Sequence, residues 1–230
     1  NSLLYINLKC FYKVSHSNVA GDRYHMRLIN SEMLPSVDEL PLMFHDAVQS
    51  LTADGYVWVG IDHFAKPSDD LAQAVAEKRA WRNFGGFTTG ETHNLIGIGP
   101  TATCAIGNAY YQNAYAMKEY YKAIDEGKFP IQQGYQMDSD EVLRREVILK
   151  ILCDSSLNYK QIESKFGISF PDYFARELAS LATFEQDGIL EFNGESFNLT
   201  PTGQFFGRHV AKVFDKFLQN TEGEYQITGP

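Results

Sequence analysis

The sequence predicts an α/β part over residues 1–134, followed by a mainly helical, winged-helix-like domain over residues 135–230. The α/β part is predicted by a strand, helix, strand order and by the near-continuous apolar run 56–65, which is typical of a strand buried on both faces of a parallel sheet. The second part is predicted by three helices, a hairpin and a last helix in succession. Asp62 and His63 end the buried run, at the edge where α/β folds gather their chemistry.

In the α/β part, residues 3–14 are dense in Leu, Ile, Tyr and Phe and predict a strand. Ser36 and Glu39 form a capping-box pattern in front of an apolar stripe, and Gly55 is the expected end of that helix. A second helix is predicted after Pro67, with its Leu, Ala and Val side chains facing inward.

A glycine-rich stretch occupies residues 83–107. Such density lets the backbone pack closely or approach a ligand, and the residues leave both interpretations open. Gly97 and Gly99 give only a GxG pattern, so neither a dinucleotide fingerprint nor a P-loop is present. The range 110–126 predicts a Tyr-rich helix, and Gly127 is expected to end it. Its tyrosines could stack on a flat ring, but a tyrosine face at helical spacing favours the core.

In the second part, Ser139 is predicted to cap a helix. Residues 159–166 and 171–182 predict a helix–turn–helix. The dipeptide 193–194, Asn-Gly, is a strong signal for a two-residue hairpin turn. Residues 200–218 predict a last helix, which completes the winged-helix-like order.

The charge balance argues against nucleic-acid and anionic-membrane partners, because 29 acidic residues face only 20 basic ones and the net charge is -9. The presumed recognition helix carries a single basic residue, Arg176, beside Asp172 and Glu177. We therefore expect a packing or lid domain, with a winged-helix DNA-binding regulator as the alternative. No apolar stretch approaches the roughly 20 residues that span a bilayer, and a cytoplasmic location is expected.

The residue types that bind metals do not form a recognisable site. Cys10, Cys104 and Cys153 are separated by tens of residues, and the six histidines show no metal-binding spacing. Asp62 and His63 could perform acid–base chemistry or form a structural hydrogen-bonded pair, and the structural interpretation is favoured at this point.

Three runs carry a resemblance to a known family: GYVWVGIDHFAKPSDDLAQA, RNFGGFTTGETHNLIGIGPTA and RREVILKILC. Together with YFARELASL they are similar to oxygen-independent coproporphyrinogen III oxidases, which are radical S-adenosylmethionine (SAM) enzymes. The resemblance extends over about residues 35–218 in the same order. It implies that residues 1–134 are the C-terminal portion of a partial (β/α) radical-SAM barrel and the following segment. The winged-helix-like domain would cover the active site.

The family uses SAM and a [4Fe-4S] cluster held by a CxxxCxxC loop in the N-terminal half. The resemblance implies oxidative decarboxylation of two propionates of coproporphyrinogen III to vinyl groups, in haem biosynthesis. Cys10, Cys104 and Cys153 do not stand in such a motif. We therefore expect the cluster ligands in a missing N-terminal half of the same protein, and we expect this chain alone to be inactive.

By resemblance, Gly85, Gly86, Phe87 and Thr103 lie near SAM. Gly85 and Thr103 occupy positions where the family carries a Gln and an Ile that contact a second SAM molecule. The Gln supplies a hydrogen-bond donor and an acceptor that glycine lacks.

On the substrate side, the resemblance implies Asp62 and His63 at the barrel edge. Arg23, Lys66 and Arg82 are the expected partners of carboxylates on a tetrapyrrole substrate, because such a ligand needs cations within an acidic protein. A paralogue acting on another substrate, or a haem-binding carrier without turnover, is the alternative.

Overall fold

The computed structural model of this chain describes residues 5–7, 34–36, 38–90 and 94–219. The first strand, β1, covers Tyr5–Asn7, and the rest of the predicted strand lies outside the described residues.

Helix α1 covers Glu39–Ala53, so it begins two residues later than a cap at Ser36 predicts, although the capping-box bonds of Ser36 and Glu39 are formed. The backbone N–H of Ser36 donates to Glu39 Oε2 at 2.7 Å, and that of Glu39 donates to Ser36 Oγ at 3.2 Å. Gly55 follows the helix with φ +80°, a conformation that glycine adopts without strain. The capping-box pair and the stop at Gly55 are confirmed.

The predicted parallel strand over residues 56–65 is wrong, because this run folds as an antiparallel hairpin of β2 (Val57–Gly60) and β3 (His63–Ala65). Gly60 and Ile61 turn the chain with φ values of +148° and +51°. The sheet order is β1-β3-β2, and every strand pairing in the described part of the chain is antiparallel. The parallel barrel strands that the sequence predicted are therefore not found there.

Helix α2 covers Asp70–Ala76 and begins at Asp69, whose Oδ1 accepts a 2.8 Å hydrogen bond from the backbone N–H of Leu71. Leu71 and Ala74 are buried, as the sequence predicts. A two-stranded hairpin follows, formed by β4 (Trp81–Asn83) and β5 (Gly86–Thr88).

The predicted helix over 110–126 is wrong in its first part, which forms a strand. Strands β6 (Thr103–Ile106), β7 (Ala109–Asn113) and β8 (Ile131–Gln136) make one antiparallel sheet. Aromatic residues such as Tyr110 fit a pleated surface well, and the pairing with β8 overrides the helical pattern.

The helical part of this stretch is α3 (Met117–Asp125), which has no buried residue. The expectation that its tyrosines form core is wrong, because Tyr121 is 54% exposed and the helix lies on the surface. Gly127 follows the helix with φ +69°, so the predicted stop is confirmed.

The long helix α4 covers Ser139–Asp154. Its cap is Asp138 and not Ser139, because Asp138 and Glu141 make a reciprocal capping box. The backbone N–H of Glu141 donates to Asp138 Oδ1 at 2.8 Å, and that of Asp138 donates to Glu141 Oε2 at 2.7 Å.

After α4 the chain alternates short strands and helices. The Asn-Gly turn is confirmed, with Gly194 at φ +79° between the last two strands. One antiparallel sheet has the order β10-β11-β9. These elements are β9 (Ser156–Asn158), α5 (Tyr159–Phe166), α6 (Phe170–Tyr173), α7 (Ala175–Gln186), β10 (Leu190–Phe192) and β11 (Ser196–Leu199).

The predicted last helix is divided into three pieces: a 3-10 turn (Gly203–Phe206), α8 (Gly207–Lys212) and α9 (Lys216–Gln219). Two glycines weaken helix propensity here. Phe214, between α8 and α9, is fully buried, so tertiary packing decides where the chain turns.

The main core belongs to the second part of the chain and contains Phe170, Phe174, Phe197 and Phe214, all with 0% exposure. Helix α4 also reaches the first part, because its Cys153 packs in a cluster with Val59 and Phe87. The described segments contain no helix that is both long and apolar enough to cross a membrane.

Candidate functional site

Asp62 and His63 form a buried pair at the β2–β3 turn. His63 is only 3% exposed, and its Nδ1 lies 2.7 Å from Asp62 Oδ1. The imidazole packs edge-on against the ring of Phe87, with 5.0 Å between centroids. A Cβ added to Gly86 would lie 2.8 Å from His63 Nε2, so the imidazole of His63 fills the space beside the backbone of Gly86. The pair therefore joins the β2–β3 hairpin to the β4–β5 hairpin.

The charge on Asp62 is stabilised inside this cluster. Burial by itself would raise the pKa of Asp62, but the hydrogen bond and charge of His63 outweigh burial, and the pKa of the carboxyl lies below its ordinary value. Arg208 adds a smaller effect in the same direction. An ionised Asp62 that orients an enclosed imidazole fits the structural interpretation of this pair better than ligand binding.

Lys66 is held by the segment between α1 and β2. Its Nζ donates to the carbonyl oxygen of Asp54 at 2.6 Å and lies 3.9 Å from the ring centroid of Tyr56. The structure thus directs Lys66 toward the end of α1. Arg23 lies outside the described residues.

The residues expected near SAM are distributed over two sheets. Gly85 is exposed at the tip of the β4–β5 hairpin, where its N–H donates to Asn83 Oδ1 at 2.8 Å. Gly86 is buried with φ +124°, and Phe87 belongs to the apolar cluster below the hairpin. Thr103 is half-buried on β6.

A cavity of about 570 Å³ lies between the β4–β5 hairpin, the β6–β7–β8 sheet, α4 and the start of α9; we call it the α4 cleft. Among the described residues that were predicted to form the site, only Arg82 lines it. Aromatic and charged side chains dominate its wall: Trp81, Phe84, Tyr110, Tyr135 and Phe217, with Arg82, Arg144, Arg145, Lys216, Glu141 and Asp215.

Sequence reasoning missed the α4 cleft because its walls come from segments more than a hundred residues apart. One signal was available, since two adjacent arginines, Arg144 and Arg145, stand at the start of the run RREVILKILC. Arginine is a common partner of carboxylates.

Arg144 is fully engaged by the protein. Its Nε donates to Asp140 at 2.9 Å, and its Nη1 donates to Glu177 at 2.8 Å and to the carbonyl oxygen of Phe214 at 3.1 Å. Burial would lower the pKa of Arg144, but the hydrogen bonds to both carboxylates raise it above its ordinary value. Arg144 therefore ties α4 to α7 and to the chain before α9.

Lys216 closes one side of the cleft by binding the start of α4. Its Nζ lies 2.9 Å from Asp138 Oδ2, 3.1 Å from Glu141 Oε1 and 3.5 Å from Asp140 Oδ2. The Tyr135 hydroxyl also donates to Glu141. The hydrogen bond to Asp138 is the main reason that the pKa of Lys216 is raised, and Asp138 and Glu141 both have lowered pKa values.

Acid should loosen this cluster. Because the pKa values of Asp138 and Glu141 are lower in the fold than their ordinary 3.8 and 4.5, the unfolded chain binds protons more readily, and stability falls as the pH drops through this range. Lys216→Met should reduce this pH dependence, because Lys216 contributes to both shifts.

The measurement is the melting temperature by circular dichroism between pH 6 and pH 3. Lys118→Met, on the exposed surface of α3, serves as the control and should keep the wild-type pH dependence. An unchanged pH dependence in Lys216→Met would contradict the assignment.

The thiols in the described part do not fit an iron–sulfur cluster. Burial raises the pKa of the Cys153 thiol to about 12, whereas a metal ligand must be a thiolate. Cys104 is also buried, and its Sγ accepts a 3.2 Å hydrogen bond from the N–H of Gly97. Across the described ranges, no three His, Cys, Asp or Glu side chains are grouped to hold a metal ion. Cys10 lies outside those ranges.

Comparison with known proteins gives concordant results. Residues 137–206 match the family described as HemN C-terminal domain. Oxygen-independent coproporphyrinogen III oxidase of Synechocystis sp. is 38% identical over 191 residues, which cover 81% of this chain and 41% of the relative. The Helicobacter pylori protein of the same name is 34% identical over 93% of this chain and 47% of the relative.

A solved structure shows the same similarity at the level of the fold. The structure described as "Coproporphyrinogen III oxidase (HemN) from Escherichia coli is a Radical SAM enzyme" matches with a TM-score of 0.80 and 34% identity, over 85% of this chain and 45% of that one. The chain thus spans less than half the length of these relatives. The predicted resemblance is confirmed, and the fold matches the C-terminal part of such an enzyme.

Proposed function

We propose that this chain, which is similar to the C-terminal part of oxygen-independent coproporphyrinogen III oxidases, supplies that part of an anaerobic coproporphyrinogen III dehydrogenase. The reaction would be oxidative decarboxylation of two propionates to vinyl groups in haem biosynthesis, with no turnover unless the N-terminal half is present. One observation carries the proposal: identity of 34–38% extends over 81–93% of the chain. The match of residues 137–206 to the HemN C-terminal domain supports the same proposal.

We propose a division near residues 134 and 135, with a winged-helix-like second domain that serves as a lid. The order α4, β9, α5, α6, α7, β10, β11 and the antiparallel sheet β10-β11-β9 support this topology. The α4 cleft supports the lid role, because it lies where α4 meets the strands of the first part.

The second domain offers a poor surface for nucleic acid. On α7, Arg176 is exposed, but Glu177 is buried and bonded to Arg144, and the whole chain carries a net charge of -9. We therefore propose a small-molecule tetrapyrrole as the partner, with no nucleic acid and no membrane, and a cytoplasmic location.

For the cofactor side, we propose that the hairpin tip at Gly85, Gly86 and Phe87, with Thr103, faces SAM. SAM, when bound beside the [4Fe-4S] cluster of the missing half, supplies the 5′-deoxyadenosyl radical. The exposed backbone at Gly85 can approach a ligand closely. Phe87 would hold the hairpin tip in position, because it packs in one apolar cluster with Val59.

For the substrate side, Arg82 has the strongest support, because it lines the α4 cleft. Asp62 and His63 would position the hairpin that carries Arg82, through the contact of His63 with Phe87. Lys66 and Arg23 stay predictions, and Lys66 would have to leave its bond to Asp54 to meet a carboxylate.

The test is an anaerobic assay of this chain expressed together with its upstream coding sequence, after reconstitution with iron and sulfide. Coproporphyrinogen III and SAM should give the divinyl product and 5′-deoxyadenosine, whereas this chain alone should give neither. Failure of the longer protein to form vinyl products while it cleaves SAM would contradict the proposal.

A second candidate is a paralogue with another substrate or a haem-binding role. Gly85 and Thr103 favour it, because neither side chain reproduces the Gln and Ile that the family uses toward SAM. Stoichiometric haem binding without turnover by the longer protein would support this candidate over the first.

A further inference from the structure

We propose that Arg145 binds a carboxylate of a planar, ring-containing ligand in the α4 cleft. The identification of that ligand as a propionate-bearing tetrapyrrole rests on the proposed function, whereas the binding site itself rests on the geometry of the cleft.

Arg145 differs sharply from its neighbour in how its charge is satisfied. Arg144 donates to Asp140 and Glu177, so its guanidinium is neutralised within the fold. Within the described ranges, Arg145 has no carboxylate within 4.0 Å, and its Nη1 donates a 3.0 Å hydrogen bond to the carbonyl oxygen of Gly107. One of the two adjacent arginines thus keeps an unneutralised charge at the cleft wall.

The unused donor of Arg145 is buried. Its Nε is shielded from solvent and has no hydrogen-bond partner among the described residues. A buried N–H without an acceptor is costly, and such groups in native proteins call for an explanation. A ligand carboxylate would neutralise the charge of this half-buried side chain, because the guanidinium fork matches two carboxylate oxygens and pairs with them more strongly than with a neutral acceptor.

The carboxylates near the cleft do not supply this partner. Glu141 accepts from the Tyr135 hydroxyl and from Lys216, so its charge is already compensated. Asp215 also lines the cleft, but its Oδ1 accepts a 2.9 Å hydrogen bond from the N–H of Phe217. Arg82 brings a further cation to the same wall. A ligand with more than one carboxylate therefore fits the cleft better than a neutral or cationic one, despite the negative net charge of the whole chain.

The aromatic side chains of the α4 cleft indicate that the rest of the ligand is a flat ring system. Phe84 contacts Tyr110 edge-on with 5.1 Å between ring centroids, and Tyr135 contacts Phe217 edge-on at 6.1 Å. A cavity of about 570 Å³ lies in the range of small-molecule sites. Apolar rings beside an arginine are the chemistry that a flat, carboxylate-bearing macrocycle requires.

The experiment is a fluorescence titration of this chain with coproporphyrin III, a stable oxidised probe of the substrate class. Arg145→Gln should weaken binding about ten-fold or more. The affinity of Arg145→Lys should lie between those of the wild type and Arg145→Gln, because lysine keeps the charge but lacks the guanidinium fork. The tetramethyl ester of the probe should bind weakly and be insensitive to both substitutions. Arg176→Gln, on the exposed face of α7, is the matched control and should bind like the wild type.

Melting temperatures of all variants would show that each is folded. Three outcomes would each overturn the proposal. They are wild-type affinity in folded Arg145→Gln, equal binding of the acid and the ester, and no binding of coproporphyrin III to the wild-type chain. Binding through Arg145 combined with no vinyl product from the longer protein would contradict the proposed function alone. Turnover by the longer protein with no effect of Arg145→Gln on binding would contradict this inference alone.

Discussion

Gly203→Ala should destabilise the chain by at least about 3 kcal/mol, the upper end of what overpacking usually costs. A Cβ at this position would lie 1.7 Å from the carbonyl oxygen of Ile189 and 2.8 Å from its carbonyl carbon. Both are backbone atoms held in place, because the same oxygen accepts a 3.0 Å hydrogen bond from the N–H of Thr200. The clash can be relieved only by moving the 3-10 turn away from β10.

Urea denaturation followed by circular dichroism measures the free energy of unfolding of the variant. Gly90→Ala is the matched control, because its Cβ would meet no atom within 4 Å and its backbone is compatible with alanine. The unfolding free energy of Gly90→Ala should stay within about 0.5 kcal/mol of the wild-type value or rise slightly above it. Equal stability of the two variants would contradict the close approach of Gly203 to the carbonyl group of Ile189.

Gly86→Ala should cost about 2–4 kcal/mol and displace His63. The residue has φ +124°, where alanine is strained, and a Cβ would lie 2.8 Å from His63 Nε2. Displacing the imidazole would break its 2.7 Å contact with Asp62 and loosen the link between the two hairpins. In the longer enzyme we expect turnover to fall more than ten-fold, because the hairpin carries Arg82 to the cleft.

Gly85→Ala is the adjacent control. This glycine is exposed, and the nearest atom to its Cβ would be Asn83 Oδ1 at 3.2 Å, on a side chain that can shift. Its unfolding free energy should change by less than about 1 kcal/mol. A Gly86 variant as stable as the Gly85 variant would refute the tight packing of His63 on the hairpin.

Local signals predicted the ends of several elements correctly. The capping box of Ser36 and Glu39, the stops at Gly55 and Gly127, and the Asn-Gly turn before Gly194 each depend on interactions within a few residues. The neighbouring residues alone determine such features, so they can be predicted without knowledge of the tertiary structure.

The strand over residues 56–65 and the helix over 110–126 were mispredicted for one shared reason. A short apolar or aromatic run satisfies more than one pattern, and the partner that it packs against decides between them. The run ending at Ala65 turns back at Gly60 because β1 pairs with β3, and Tyr110 joins a strand because β8 lies beside it.

By itself, the sequence determined the similarity to a family, the acidic charge, the local caps and the turns. The tertiary structure alone decided what Arg144 and Arg145 do. One residue of spacing rotates a side chain roughly 100° around a helix. Both guanidinium groups line the α4 cleft, but Arg144 meets Asp140 and Glu177, whereas Arg145 donates to the carbonyl oxygen of Gly107. Which carboxylates lie within reach depends on distant elements packing together, and no local pattern contains that information.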